Sequence, residues 1–184
     1  SNQGKEVSNS WEFLVCPLDL LSYWRLENSL FDSSPNDFTG QISGQISYQE
    51  GKSGQSISFP GNKDSYIALS NRLLNNLPQF SISMWIKSSG SGDAIFSAAN
   101  AKESNEFLIY DQNNLKVYIK GSEKSFGTKL NDNLWHHLAV TVDSTNGLLR
   151  VYIDWVLIGE KIIEKVPIQV ECIVLGQDQD SLLG

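Results

Sequence analysis

Phe80, Ile82, Met84 and Ile86 alternate with Ser81, Ser83, Trp85 and Lys87 in the stretch FSISMWIK. A period of two marks a β-strand with one face turned to a core. The same character recurs in EFLIYD (106–111), LKVYIK (115–120), LWHHLAVTVD (134–143), LLRVYID (148–154) and WVLIGEK (155–161). DQNN (111–114) and DSTNG (143–147) lie between such runs, and their residues tolerate the positive φ of hairpin loops. Nearer the N-terminus, SYWRL, GQISGQISY, QSISF and SYIAL read as shorter strands broken by Gly, Ser and Pro. No sustained helical period is present; SNRLLNNL (70–77) supports one or two helical turns with Ser70 as the cap. About a dozen short strands predict an all-β fold, an antiparallel two-sheet jelly-roll sandwich. Alternation on facing strands places Trp24, Phe59, Ile82, Met84, Ile86, Phe107, Ile109, Leu138, Val140, Val142, Val151 and Ile153 in its core.

Composition narrows the class of protein. The chain has 184 residues, 40% hydrophobic and 19% charged, which suits one globular domain. Residues 1–20 precede the strand-rich part of the chain, 21–184, and read as an N-terminal leader, either a plain leader strand or an additional edge strand. Twenty-one acidic against fourteen basic residues give a net charge of −7, with a pI near 4.8. Such a surface has no basic patch to track phosphates, so nucleic acid is not an expected partner. No apolar run approaches the roughly 20 residues that span a bilayer.

Few residues suggest chemistry. Cys16 and Cys172 sit near opposite ends of the chain. Domain termini often lie close together, so the two admit a disulfide suited to an oxidising compartment, or else two buried thiols. There is no N-x-S/T acceptor for glycosylation. His136 and His137 are adjacent; on a strand they point to opposite faces and cannot chelate one metal together. Glycosidases need two carboxylates held roughly 5 to 10 Å apart across a sugar, and no alternating acidic run of the E-x-D-x-E kind is present. Asp154, closing VYID, reads as a turn residue. Trp155 follows it where Gly would suit the positive φ of such a turn, and reads either as an exposed contact aromatic or as a buried anchor. With no G-x-S-x-G, Cys-His context or glycine-rich phosphate loop, the chain is not expected to be an enzyme.

One stretch stands out. CIVLGQDQDS ends an apolar strand with Gln177, Asp178, Gln179, Asp180 and Ser181. Calcium takes about six to eight oxygens from carboxylates, amides and backbone. The row suits a metal-binding loop, or a solvated acidic turn in which water and salt screen the repulsion.

The succession SYW, LFDSSPNDFTG, GKSGQSISFPGNKDSYIAL, FSISMWIK, LWHHLAVTVDSTNGLLRVYID and LGQDQDS resembles laminin G-like and pentraxin domains of the concanavalin A-like lectin and glucanase group. It does so in order and spacing, from Leu21 to the C-terminus, and LGQDQDS favours the pentraxin side. The resemblance implies a calcium site drawn from two loops. Asp178, the Gln179 carbonyl and Asp180 would come from one, Asn105 and Glu106 of KESNEFLIY from the other. It further implies a non-catalytic extracellular recognition or adhesion module, secreted or in the ectodomain of a receptor such as an adhesion G protein-coupled receptor. Its ligand would be a glycan, a phosphorylated molecule or a protein. On the same fold, the alternatives are a glycan-active hydrolase or lyase and a structural or oligomerising domain. Three departures weaken the transfer. Ser104 stands where the family pattern has an acid, the family's paired core cysteines are absent, and the sequence ends at Gly184 before the remaining acidic ligands and the final strand. Calcium binding is therefore expected to be weak, and the sandwich is expected to lack the family's C-terminal strand. NSWEFLVCPLDLL (9–21) has the look of a strand that could take its place.

Overall fold

Strands make up almost all the regular structure of the computed structural model, which describes residues 20–179. In chain order they are β1 (Gln41–Ser43), β2 (Ser47–Glu50), β3 (Gln55–Ser58), β4 (Tyr66–Leu69), β5 (Gln79–Ile86), β6 (Ala94–Ala99) and β7 (Phe107–Tyr110). There follow β8 (Lys116–Ile119), β9 (Ser122–Ser125), β10 (His136–Asp143), β11 (Leu148–Ile153), β12 (Val156–Ile162) and β13 (Cys172–Leu175). A seven-stranded sheet runs β1-β4-β13-β6-β7-β8-β9, a four-stranded sheet runs β12-β11-β10-β5, and β2 pairs with β3 alone. All pairings are antiparallel. The expected helical segment is a short 3-10 turn, Asn71–Leu73, and the Ser70 side chain caps it by accepting the Arg72 N–H at 3.3 Å.

The two larger sheets enclose the core. Val140 lies opposite Ile82 on one side and Val151 on the other, and Leu138, Val140, Val142, Leu149 and Val151 are all buried. Their alternating neighbours on β10, His137, Ala139 and Thr141, take the outward face. Phe107 reaches across from the larger sheet. Its ring meets Phe80 of β5 edge-on at 5.3 Å and Phe96 of β6 at 5.7 Å, the geometry favoured by aromatic quadrupoles. Of the expected core, Trp24, Ile82, Met84 and Ile86 pack against this cluster partly buried. Phe59 stands outside it, because β3 belongs to the small two-stranded sheet.

Two further expectations change. SYWRL forms no strand, since Leu26 and Asn28 take φ of 62° and 54°, which breaks an extended run. Trp24 makes one isolated bridge to Asp32, and its indole donates to the Phe38 carbonyl at 3.0 Å. Conversely AIFSAA, not apparent from alternation, is β6; it is buried on nearly every residue because both its faces are covered. The proposed leader, residues 1–19 of it, and the closing-strand reading lie outside the described residues.

Asp32 organises the irregular N-terminal loop. Its buried carboxylate accepts the N–H groups of Tyr23, Ser34 and Phe38 and the Ser34 hydroxyl, each at 2.8 Å. Burial alone would raise its pKa, but these donors hold it down to about 2 from the usual 3.8. A depressed carboxylate stabilises the fold fully above its unfolded pKa and loses that contribution as pH falls through the folded one. Stability is therefore expected to drop by about 2 kcal/mol on this account between pH 4 and pH 2. Acid titration of Asp32→Asn should show a shallower slope over that window; an identical slope would refute the assignment.

Candidate functional site

β13 lies between β4 and β6, so the loop that follows it is delivered to the middle of the larger sheet. Gly176 ends the strand at φ +82°, and a Cβ there would sit 2.4 Å from the Phe59 ring. Only glycine satisfies both the backbone and the space. The chain then folds over the sheet's outward face. Ser97 of β6, pointing away from the side of Phe96 and Ala98, donates its hydroxyl to the Asp178 carboxylate at 3.2 Å. The Gln179 side chain is fully buried and its amide donates to the Ser104 carbonyl. The loop that follows β13 and the KESNE segment are thereby joined through Gln179 and Ser104. Asn105 donates its N–H to Glu103 at 3.0 Å and accepts from Gly121 through its carbonyl at 3.0 Å. Its side-chain oxygen is buried without a hydrogen-bond partner among the described residues. Such an orphaned acceptor is costly unless something else satisfies it.

Glu106 is engaged elsewhere. Its carboxylate, almost wholly buried, accepts the Gln169 N–H at 2.8 Å and pairs with Lys120 at 3.3 Å. It borders a polar cleft of about 620 Å³ that Asn75, Asn100, Lys102 and Gln169 also line. Turning it toward a cation beside Asn105 would strand the Lys120 ammonium. Asp180 lies outside the described residues, as does Cys16; Cys172 is half-buried, and burial pushes its thiol pKa up. Among the described residues no three His, Cys, Asp or Glu side chains gather where they could hold a metal. A cation here would rely on amide and backbone oxygens together with very few carboxylates.

A second constellation lies at one end of the four-stranded sheet. Asp154 and Trp155, at φ 49° and 72°, form the two-residue turn between β11 and β12, the positive-φ pair of a type I′ hairpin. The Asp154 carboxylate accepts the His137 N–H at 2.8 Å and meets His136 Nδ1 at 2.8 Å, while His136 Nε2 meets Asp132 at 3.0 Å. His136 is thus clamped between two carboxylates. The bond to Asp154 raises its pKa most, burial opposes, and Asp132 adds to the rise. The stability this gives is fully present below the unfolded pKa of 6.5 and is lost as pH climbs through the raised folded value. His136→Gln should remove that decline from denaturation curves recorded at increasing pH; a decline of unchanged size would show that another group causes it. Trp155 is 75% exposed, so it is no buried anchor. Its ring stacks on His137 at 4.1 Å and 14°. Trp85 meets His137 edge-on at 5.3 Å, with the Lys52 ammonium 5.2 Å from the Trp85 centroid. Sequence reasoning singled out Trp155 but not this trio. Outward alternation of Trp85 and His137 was the available signal, and only their register pairing completes it.

A sequence profile described as the concanavalin A-like lectin/glucanases superfamily matches residues 60–182, more than half of the chain. The chain belongs to that superfamily. Among curated relatives of this superfamily member, the Rattus norvegicus sushi, von Willebrand factor type A, EGF and pentraxin domain-containing protein 1 is 36% identical over 117 residues. That stretch is 59% of this chain and 3% of that protein. Homo sapiens neuronal pentraxin-1 is 30% identical over 136 residues, 70% of this chain and 31% of that protein. The chain therefore spans only a small part of each. Among solved structures, the binding domain of Paraclostridial Mosquitocidal Protein 1 superposes with a TM-score of 0.68 at 17% identity, over 85% of this chain and 44% of that one. This last is a likeness of fold.

The matched span of this concanavalin A-like lectin/glucanase member includes the Asn105 and Asp178 loops and the Trp155 turn. Because the superfamily's name includes glucanases, its carboxylates matter. Asp132 and Asp154 are a pair with a gap between them, but the His136 imidazole fills that gap and bonds to both. A sugar ring and an attacking water have no room there. Asp32 is buried and engaged with three backbone N–H groups and the Ser34 hydroxyl.

Proposed function

We propose that this chain is a non-catalytic recognition module of a larger extracellular protein. In this reading, calcium organises the surface at the Asn105 and Asp178 loops, and the ligand is a glycan, a phosphorylated molecule or a protein. The observation that carries the reading is the buried side-chain oxygen of Asn105, without a hydrogen-bond partner among the described residues, next to the Ser104 carbonyl that Gln179 ties to the opposite loop. Amide oxygen, carboxylate and backbone carbonyl are the hard donors that calcium prefers. Asn105, Asp178, the Gln179 carbonyl and Asp180 would hold the ion. When bound, it would offset the acidic charge and leave coordination positions for an oxygen-bearing ligand. Glu106 would serve from behind, keeping the 169–170 segment in place through Gln169.

The relatives support a module rather than a whole protein, since the matched region is a small fraction of each. Their names contain pentraxin, which agrees with an extracellular setting and with adhesion or receptor ectodomains. No helix of the described residues is long and apolar enough to cross a membrane. Calorimetric titration with calcium tests the reading directly. Saturable heat that disappears in Asn105→Ala is expected. No heat with the unaltered chain would favour a structural or oligomerising domain instead.

A further inference from the structure

We propose that the end of the β11–β12 hairpin is a membrane-contact tip, which inserts Trp155, Val156 and Leu157 into the apolar interface of a zwitterionic bilayer without calcium. The tip belongs to the four-stranded sheet, whereas the Asn105 and Asp178 loops belong to the larger one. It therefore goes beyond the calcium-organised surface and stands without it.

The first observation is exposure on both faces of the hairpin. Trp155, Val156 and Leu157 are consecutive, and they are 75%, 61% and 49% exposed. Leu157 lies opposite Tyr152 and Val156 opposite Ile153, so the two take opposite faces of the sheet. Ile153 is buried toward the core, yet Val156 beside it is open. The end of the hairpin thus stands clear of the other described residues on both faces. Apolar surface held in water is unfavourable, and the fold keeps it there at a further cost. Trp155 takes φ of 72° at a turn position that favours glycine, and no core contact offsets that strain.

The second observation is what surrounds the tip. Asp132 and Asp154 meet the two nitrogens of the His136 imidazole, which brings the 132–134 loop beside the turn. Leu134 on that loop is exposed, its N–H held by Asp132 at 2.9 Å, and Asn133 donates to the Ser88 carbonyl just beyond β5 at 2.9 Å. Only an imidazolium donates at both nitrogens, so the acidic pair at the base of the tip has a counter-charge between its members. On the adjoining outward face Trp85 is exposed as well, with the Lys52 ammonium 5.2 Å from its ring centroid. Indole rings and lysines with buried stems are groups that settle at headgroup level.

A hairpin that is apolar on both faces needs an occupant that surrounds it. A protein docking on one face would leave the other in water. An ordinary protein interface also buries about 800 Å² per partner, more than three residues at a turn offer. A bilayer closes around a tip from every side. Three extended residues span about 10 Å, which matches the depth of about 5 to 10 Å that apolar groups reach at the boundary of headgroups and acyl chains. A zwitterionic leaflet fits better than an anionic one, because the chain carries a net charge of −7 and anionic lipids attract clustered Lys and Arg.

The test is cosedimentation with sucrose-loaded phosphatidylcholine vesicles, in chelator and at mildly acidic pH. The unaltered chain is expected to pellet with the vesicles, and brominated acyl chains should quench its tryptophan fluorescence. Trp155→Gly, which suits the turn's backbone, should weaken binding at least about tenfold, the least that burying a large apolar side chain contributes. Most of the quenching should go with it. Leu134→Ser should weaken binding too. Melting temperatures at or above the parent's would show that the variants are folded. No pelleting of the unaltered chain would overturn the tip, as would parental binding in both variants. Binding that requires phosphatidylserine would overturn it in favour of charge attraction. Binding that requires calcium and vanishes in Asn105→Ala would also overturn it, while leaving the calcium-organised surface standing. Self-association lost in Trp155→Gly, without vesicle binding, would make the hairpin a contact between copies of this chain instead. Calcium-free pelleting lost in Trp155→Gly would uphold the tip even if calcium titration gave no heat.

Discussion

Replacing Phe107 by alanine is expected to lower the unfolding free energy by about 3 to 5 kcal/mol, the range for truncation of a buried aromatic. Phe107 is completely buried. It touches Phe80 from the opposing sheet and Phe96 from its own, both edge-on. Truncation thus removes transfer free energy, leaves a cavity between the sheets and breaks two aromatic contacts worth roughly 0.5 to 1.5 kcal/mol each. Phe59→Ala provides the contrast. That ring is half-buried, outside the central cluster, and covers Gly176, so its loss should cost less. Urea denaturation measures both, with equal slopes required for the comparison to be about stability alone. If Phe107→Ala costs no more than Phe59→Ala, the contact between the sheets is not where the core is concentrated.

How legible each element was depended on how many of its faces are buried. β5 and β10 could be read directly because one face meets the core and the other meets water, so Phe80 to Ile86 and Leu138 to Val142 alternate cleanly. β6 could not, since AIFSAA is covered on both faces and carries no alternation. Phe59 was misplaced for the opposite reason. QSISF alternates as a core strand does, but nothing local says that β3 will pair only with β2. The N-terminal SYWRL depended on Asp32, whose carboxylate collects three backbone N–H groups from either side of it and so competes with strand formation.

The site divides in the same way. The oxygen-rich row after β13 was visible in sequence. That Gln179 would reach Ser104 was not, because it follows from the order β13-β6-β7 in the larger sheet. Glu106 looked equivalent to Asn105 along the chain. Asn105 lies in a turn and Glu106 in the bend just before β7, however, and Lys120 and Gln169 are brought to Glu106 only by the fold. The aromatic trio needed both a register, His137 against Trp85, and a turn type that swings Trp155 onto His137. Neither is encoded in any short stretch.

Calcium is expected to raise the melting temperature of the unaltered chain by several degrees. An ion that binds only the folded state contributes RT ln(1 + [L]/Kd), about 2.7 kcal/mol at a hundredfold excess over Kd. With Ser104 in place of an acid and few carboxylates at the loops, Kd should fall on the order of 10⁻⁴ to 10⁻³ M, as in extracellular modules. At 10 mM calcium the excess is then roughly ten- to hundredfold, and the gain about 1.4 to 2.7 kcal/mol. Each kcal/mol is worth about 2 to 4 °C in a chain of this length. Asn105→Ala should abolish the gain and, by removing an acceptor that has no partner among the described residues, should not destabilise the calcium-free protein as a lost hydrogen bond would. Asp178→Asn should abolish it too, while its amide oxygen can still accept from Ser97. Ser104→Asp should enlarge it, because Gln179 bonds the backbone carbonyl there and the side chain is free to change. Magnesium should substitute poorly, since it demands a smaller, nearly octahedral shell. A melting temperature that is the same in 10 mM calcium as in chelator would make the loop a solvated acidic turn and remove the metal from the proposed function.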